Sequence, residues 1–183
     1  MSTSSRTRRK VWGLATLGLL TALTACDPDA AAGPQRKAFD TTLRTHAIAP
    51  STPTPEGLAY LRAVADVHAR ADGLTGDARI GVLRQGMALP QPSGVPEAEI
   101  VRLDLAARLG EALLASPNGA WAARNMIAPL VPVERSLPLA RASARALVVL
   151  GDAAAKTGDD ALAMGSYGRS VEMMSLLVEE LEP

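Results

Sequence analysis

The 183-residue sequence has few of the residues that usually carry catalysis, metal binding or disulfide bonding. It contains one cysteine and two histidines, and only 3% of its residues are aromatic. A single cysteine forms no internal disulfide, and Cys26, His46 and His68 make a poor ligand set for a structural zinc ion. The sequence therefore predicts neither a disulfide framework nor a metal site.

The chain also lacks an excess of either charge, because 19 basic residues balance 19 acidic ones. A nucleic-acid-binding domain usually shows a basic excess, so we expect no nucleic-acid partner. The charged fraction of 21% is ordinary for a folded domain, and the length suits a single one. Composition excludes these classes of protein without choosing another.

Residues 1–25 differ from everything that follows. Four basic residues lie between positions 6 and 10, and an uncharged, mostly apolar run then extends from position 11 to 25. A run of about 15 residues is too short to cross the bilayer core as a helix, which takes about 20. It matches the apolar region of a secretory signal peptide behind its positive segment.

The apolar run ends in Leu23-Thr24-Ala25-Cys26. This segment resembles the lipobox of bacterial lipoproteins, in which a leucine and small residues precede a cysteine. The resemblance implies that the Cys26 sulfur is alkylated with diacylglycerol, that a signal peptidase cuts just before it, and that a fatty acid such as palmitate acylates the new amino terminus. Two or three acyl chains anchor a protein stably. We therefore expect Cys26 to be a lipidation site and residues 1–25 to be removed.

The export route stays open at the level of the sequence. An ordinary secretory signal that happens to hold a cysteine is one alternative. In enteric-type sorting, an aspartate directly after the cysteine tends to retain lipoproteins in the inner membrane, and Asp27 occupies this position, but the rule varies among bacteria. Arg8-Arg9 also resembles a twin-arginine export signal. The lipobox resemblance implies a location in the bacterial cell envelope, anchored by lipid to the inner or the outer membrane.

Cleavage changes the charge of the chain. It removes four basic residues and no acidic ones, which leaves 15 basic residues against 19 acidic ones and a formal charge of about −4. The neutral total thus describes the precursor, and the acidic mature chain weakens the case for nucleic-acid binding further.

The mature sequence alternates helical periodicity with proline- and glycine-rich breaks and shows no alternating strand pattern. Residues 26–55 are predicted to be a mostly flexible tether, followed by an α-helical domain over 56–183. The predicted helices cover residues 56–72, 77–88, 96–115, 120–127, 137–157 and 159–181. Thr54 and Ser136 are the expected N-caps of the first and fifth helices, and Gly158 ends the fifth. The predicted fold is all-α and built from antiparallel helical hairpins.

Residues 144–177 resemble a single tetratricopeptide repeat, which is a helical hairpin of about 34 residues. The positions that match the repeat pattern are Leu147, Leu150-Gly151, Ala154, Gly158-Asp159, Ala163, Tyr167 and Ser170. The closing proline of the pattern is absent at Ser175. Repeat folds normally stack three or more units, so the hairpin belongs either to an ordinary small bundle or to a short tetratricopeptide-like array.

Three residues in or beside this hairpin are candidate partner-binding residues. Arg141 and Arg145 share a helical face just after Arg135 and form a basic strip that suits an acidic partner or lipid headgroups. The alternative is a solvated face paired with nearby acids. Tyr167, the aromatic residue of the hairpin, is the third candidate. The adjacent Met173-Met174 pair is either a docking surface or part of the core.

No catalytic signature accompanies the two histidines. The sequence has no G-x-S-x-G elbow, no Walker-type loop and no G-x-G-x-x-G segment. The best acid–base pair is His68 with Asp66 or Asp72, and no nucleophile accompanies it. We therefore expect no catalytic residues, no cofactor and no enzyme activity.

The sequence as a whole predicts a lipid-anchored envelope protein that acts as a helical protein-binding or assembly scaffold. Its expected contacts are the membrane, through acyl groups on Cys26, and an envelope protein. The alternatives are a periplasmic hydrolase whose site is built from distant residues and a small-ligand carrier with a pocket between helices.

Overall fold

A computed structural model describes residues 40–49, 52 and 54–180. These residues form the predicted all-α fold. The helices are α1 (Pro55–Asp72), α2 (Gly76–Met87), α3 (Pro96–Leu114), α4 (Gly119–Ile127), α5 (Arg141–Lys156) and α6 (Asp160–Glu179). A single 3-10 turn, Ala128–Leu130, follows α4. None of the helices in this described part of the chain is both long enough and apolar enough to cross a membrane.

Local capping chemistry explains where most helices begin and end. Thr54 caps α1 as predicted, because its hydroxyl oxygen accepts a hydrogen bond from the Gly57 amide at 3.0 Å. Gly158 ends the α5 segment with a φ of 77°, a left-handed conformation that favours glycine. Asp159 then caps α6 by accepting from the Leu162 amide at 3.1 Å. Except for the start of α5, every predicted helix boundary lies within about two residues of the observed one.

The predicted start of the fifth helix is wrong. Leu137 and Pro138 form a short strand, β2, that pairs in parallel with β1 (Thr45–His46), and α5 begins only at Arg141. Ser136 therefore caps no helix. The two strands are about 90 residues apart in the chain, so no local pattern reveals their pairing. This two-residue ladder is also the one departure from the expectation of no strands in the described residues.

The segment before α1 contacts the helical domain. Leu43 packs against the buried cluster around α5. The backbone of Asp40 lies against Gly165 of α6, and the side chain of Thr41 lies against Gly168. The packed region therefore begins upstream of residue 56, within the predicted tether. The predicted signal peptide and the rest of the tether up to residue 39 lie outside the described residues.

Alanine and leucine fill the core, as the shortage of aromatic residues requires. One buried cluster lies mainly between α1, α2 and α3, and a second joins α3 to α4, α5 and α6. Tyr60 is the single aromatic side chain among the buried members of these clusters. The largest fully buried apolar side chains include Leu83, Leu105, Ile127, Leu137, Leu147, Leu150 and Met173.

Glycine at two helix crossings allows the backbones to approach closely. A methyl group added at Gly110 of α3 would lie only 2.6 Å from Val149 of α5, and one added at Gly151 would overlap the ring of Tyr167. In both cases the added methyl group would lie closer to its neighbour than a van der Waals contact between carbon atoms allows. The α3–α5 and α5–α6 crossings therefore depend on these two glycines.

Replacing Gly151 with alanine tests this packing. Gly→Ala in a helix interior usually stabilises by roughly 0.5–1 kcal/mol, but overpacking usually costs about 1–3 kcal/mol. We expect Gly151→Ala to lower the free energy of unfolding by urea, because the Tyr167 ring must move.

Gly81→Ala is the matched control. Gly81 lies in α2 with nothing within 4 Å of an added methyl group, so this substitution should raise the free energy of unfolding. A stabilising effect of both substitutions would show that the α5–α6 crossing is looser than described.

Candidate functional site

Of the candidate site residues, Cys26 lies outside the described residues, so its lipidation stays a prediction. The structure does place the three candidate partner-binding residues, and it gives them different surroundings.

The basic strip is divided between internal ion pairs and solvent. Arg145 makes a two-pronged contact with Glu111, with nitrogen–oxygen distances of 2.6 and 2.7 Å, and reaches Asp104 at 3.1 Å. Arg135 contacts Glu99 at 2.7 Å, whereas Arg141 is exposed. Of these three arginines, Arg141 is therefore the one whose charge is exposed to solvent and makes none of the ion pairs described above.

Tyr167 is partly buried between α5 and α6. Its hydroxyl donates a hydrogen bond to the Asp152 carboxylate at 2.7 Å, and its ring covers Gly151. The bond to the carboxylate, together with burial, raises the pKa of Tyr167 to about 12. This tyrosine therefore contributes to the packing of α6 against α5, and it is only partly exposed to a partner.

A chain of ion pairs joins α1, α3 and α5. Asp104 of α3 accepts from Arg108 on the same helix and from Arg145 of α5, each at 3.1 Å. Arg108 also reaches Asp72 of α1 at 2.9 Å. Because these groups are partly exposed, each pair stabilises the fold only modestly, by about 0–1 kcal/mol. The chain of pairs links three helices and engages the charges of Asp72, Asp104, Arg108 and Arg145.

His68 lies at the edge of this charged chain, on the wall of a small apolar cleft. Its Nδ1 atom is 3.6 Å from a carboxylate oxygen of Asp104. Asp72, one of its two predicted partners, is bound to Arg108 instead. The cleft has a volume of about 370 Å³ and is lined by Leu61, Val64, Ala65, His68, Ile100, Val101, Asp104 and Ala142. This volume is at the small end of the range for ligand pockets.

Burial lowers the pKa of His68, and the nearby Arg108 guanidinium lowers it further, against the opposing charges of Asp104 and Asp72. The imidazole is therefore neutral at neutral pH, and its Nε2 atom is buried without a hydrogen-bond partner in the described structure. A neutral, partly enclosed histidine without a nucleophile beside it fits a structural role better than acid–base chemistry.

A serine–histidine pair that the sequence did not reveal lies at the strand pairing. His46 Nδ1 is 3.1 Å from the Ser136 hydroxyl, and His46 also lines an open groove of about 650 Å³ that includes Glu99. Such a pair is the minimal arrangement of nucleophile and base. Glu99, the carboxylate of this groove, is bound to Arg135 rather than to the imidazole. The 90 residues between the two partners explain why sequence patterns missed them.

One face of α6 exposes four large apolar side chains. Met164, Val171, Met174 and Val178 have exposed fractions of 50, 67, 44 and 54%, and we call these four residues the α6 outer face. Met173, by contrast, is fully buried. The structure thus divides the Met173-Met174 pair between the core and a surface that could bind a partner.

Within the described residues, no group of three or more histidine, cysteine or acidic side chains could hold a metal ion. Comparison with protein-family models, with curated proteins and with solved structures gave no match for the chain. The function is therefore argued from the residues themselves.

The lowered pKa of His68 makes the stability of the fold depend on pH. As the pH falls through the ordinary histidine pKa of about 6.5, the unfolded chain binds a proton that the folded chain resists. The free energy of unfolding should therefore fall on acidification by more in the wild-type chain than in His68→Gln.

Urea unfolding of both chains at about pH 7.5 and pH 5.5 measures this difference, and an NMR titration of the His68 ring gives its pKa directly. A His68 pKa at or above the ordinary value, with equal pH dependence of the two chains, would contradict the described surroundings of the imidazole.

Proposed function

We propose that this protein is a lipid-anchored lipoprotein of the bacterial cell envelope whose helical domain binds another envelope protein as a scaffold or assembly factor. The observation that carries the proposal is the Leu23-Thr24-Ala25-Cys26 segment, which follows a basic segment and a short apolar run and holds the single cysteine of the chain. Lipidation accounts both for the position of this cysteine and for the absence of a second cysteine with which it could form a disulfide.

The length of chain between the anchor and the domain suits such a role. About 14 residues separate Cys26 from Asp40, the first residue described, and a fully extended chain of that length spans at most roughly 50 Å. The helical domain could therefore work at the membrane surface or several nanometres away from it. A partner in the same membrane, or in the space beside it, is within reach.

The surface of the described domain supports binding rather than chemistry. Asp104, Arg108, Glu111 and Arg145 are engaged in ion pairs within and between helices, and the cleft beside His68 is small. The α6 outer face, however, leaves four large apolar side chains in solvent. Exposed apolar surface of this kind marks interaction sites more often than catalytic ones.

Mass spectrometry of the chain purified from membranes tests the anchoring. We expect a mature chain that begins at Cys26 and carries diacylglycerol and a fatty acyl group, recovered in the membrane fraction. The tryptic peptide from Cys26 to Arg36 should hold all of the added mass. The uncleaved precursor of the protein should accumulate when lipoprotein signal peptidase is inhibited.

Cys26→Ala is the control for the same experiment. The substituted chain should lack both the added mass and the cut before residue 26, and should therefore keep residues 1–25. Cleavage at another residue, or a free Cys26 thiol in the mature chain, would refute the anchoring half of the proposal.

A periplasmic hydrolase is the second candidate function, and the Ser136–His46 pair is the observation that favours it. In that case His46 Nδ1 would take the proton of the Ser136 hydroxyl as its oxygen attacks a carbonyl carbon. The scaffold proposal expects no covalent labelling of the chain by a fluorophosphonate probe, which reacts with activated serines. Labelling that disappears in both Ser136→Ala and His46→Ala would favour the hydrolase instead.

A further inference from the structure

The α6 outer face has the spacing of a coiled-coil seam. Met164, Val171 and Val178 follow one another at intervals of seven residues, and Met174 lies beside them. Residues spaced by seven on a helix face one neighbouring helix when two helices pack side by side. The small side chain of Ser175 lies on the same face and would allow close approach.

The most open part of this face is its C-terminal half. A shallow groove of about 480 Å³ follows Ser170, Val171, Met174, Ser175, Val178 and Glu179. Nearer the start of α6, the segment around Thr41 lies against Gly168 and narrows the free surface. A second helix would therefore pack mainly between Val171 and Val178, which is about two turns of α6.

The charges along this seam are all acidic. If Val171 and Val178 occupy d positions of a heptad, Glu172 and Glu179 occupy the e positions that pair with the partner helix, and both are exposed. The one basic residue of α6, Arg169, is buried and donates to the carbonyl oxygens of Val131 and Pro132. No positive charge of α6 itself therefore balances the two glutamates at the seam.

This charge pattern disfavours a second copy of the chain as the occupant. An antiparallel pair of α6 helices would place these glutamates opposite their own counterparts, and like charges there repel. A parallel pair would bring them beside Met174 and Tyr167, where a carboxylate loses water without gaining a partner.

A membrane surface fits no better. Helices that lie in the bilayer interface carry lysine and arginine on their polar sides, and anionic lipids attract basic rather than acidic segments. Glu172, Glu179 and Glu180 would be repelled from such a surface.

We propose that the α6 outer face binds an amphipathic helix of a partner protein whose apolar seam is flanked by lysine or arginine. This inference rests on the proposed scaffold function and deepens it by naming the chemistry of the partner. Apolar contacts at Val171, Met174 and Val178 supply most of the affinity, and the pairing of Glu172 and Glu179 with basic residues selects the partner.

Two synthetic three-heptad peptides test the selection. Both carry leucine and isoleucine at the seam, one with lysine and the other with glutamate at the flanking positions, so that neither associates with itself. Binding to the full chain in nanodiscs of neutral lipid is followed by fluorescence anisotropy, with empty nanodiscs as the blank. We expect the lysine peptide to bind at least about tenfold more tightly than the glutamate peptide.

Two sets of variants separate apolar from charge effects. Val171→Ser should weaken binding of the lysine peptide about tenfold, whereas Val148→Ser, at an exposed valine of α5, should leave it unchanged. The double variant Glu172→Lys, Glu179→Lys should reverse the preference between the two peptides. Circular dichroism melting of each variant checks that it is folded.

Several results would overturn the proposal. Equal affinity for both peptides, or binding that Val171→Ser leaves unchanged, would show that the face does not select a basic helix. If the chain associates with itself and Val171→Ser abolishes this, the occupant is a second copy. If the chain binds anionic vesicles and Val171→Ser abolishes this, the occupant is a membrane. The same titration on Cys26→Ala separates this inference from the anchoring. If Cys26→Ala still prefers the lysine peptide, the docking proposal stands whether or not Cys26 is lipidated.

Discussion

The fold depends on one constraint, which is that helices with alanine and glycine at their contact surfaces must pack closely together. With so few aromatic residues available, the core must be filled by small side chains at short interhelical distances, and buried alanines line both α3 and α5. The Gly151–Tyr167 contact sets the position of α6 against α5, and that position determines which residues of α6 face outward. The exposed seam of Met164, Val171 and Val178 thus follows from packing on the opposite side of the same helix.

A buried guanidinium holds α6 from a second direction. Arg169 is 2% exposed, and two of its nitrogens donate to the carbonyl oxygens of Val131 and Pro132 at 2.9 and 3.1 Å. Burial lowers the pKa of this arginine, while Asp40 and Glu134 oppose the shift. Contacts on two sides of α6 therefore position its outer face, and a surface positioned before binding loses little conformational entropy when it binds a partner.

Local patterns predicted the helices well because caps and turns are encoded by neighbouring residues, as Thr54 and Gly158 show. They failed at Leu137-Pro138, where pairing with Thr45–His46 comes from a segment about 90 residues away. The same separation hid the Ser136–His46 pair, and the contact of Arg145 with Glu111 joins residues 34 apart in the chain. Sequence spacing identified Arg141 and Arg145 as neighbours, but only the fold distinguishes a charge already paired from one left in solvent. The fold likewise shows that Met173 is buried in the core whereas Met174 is exposed.

Thiol accessibility in intact membranes tests most directly whether this chain is an anchored docking protein. The proposed lipidation would consume the Cys26 sulfur, so in Val171→Cys the introduced thiol would be the single free one. At native expression, a maleimide should label Val171→Cys slowly in membranes and rapidly after purification, whereas Val148→Cys should react alike in both. The chain without an added cysteine should not react. Equal reactivity of Val171→Cys in both states, or labelling of the unsubstituted chain, would contradict the account.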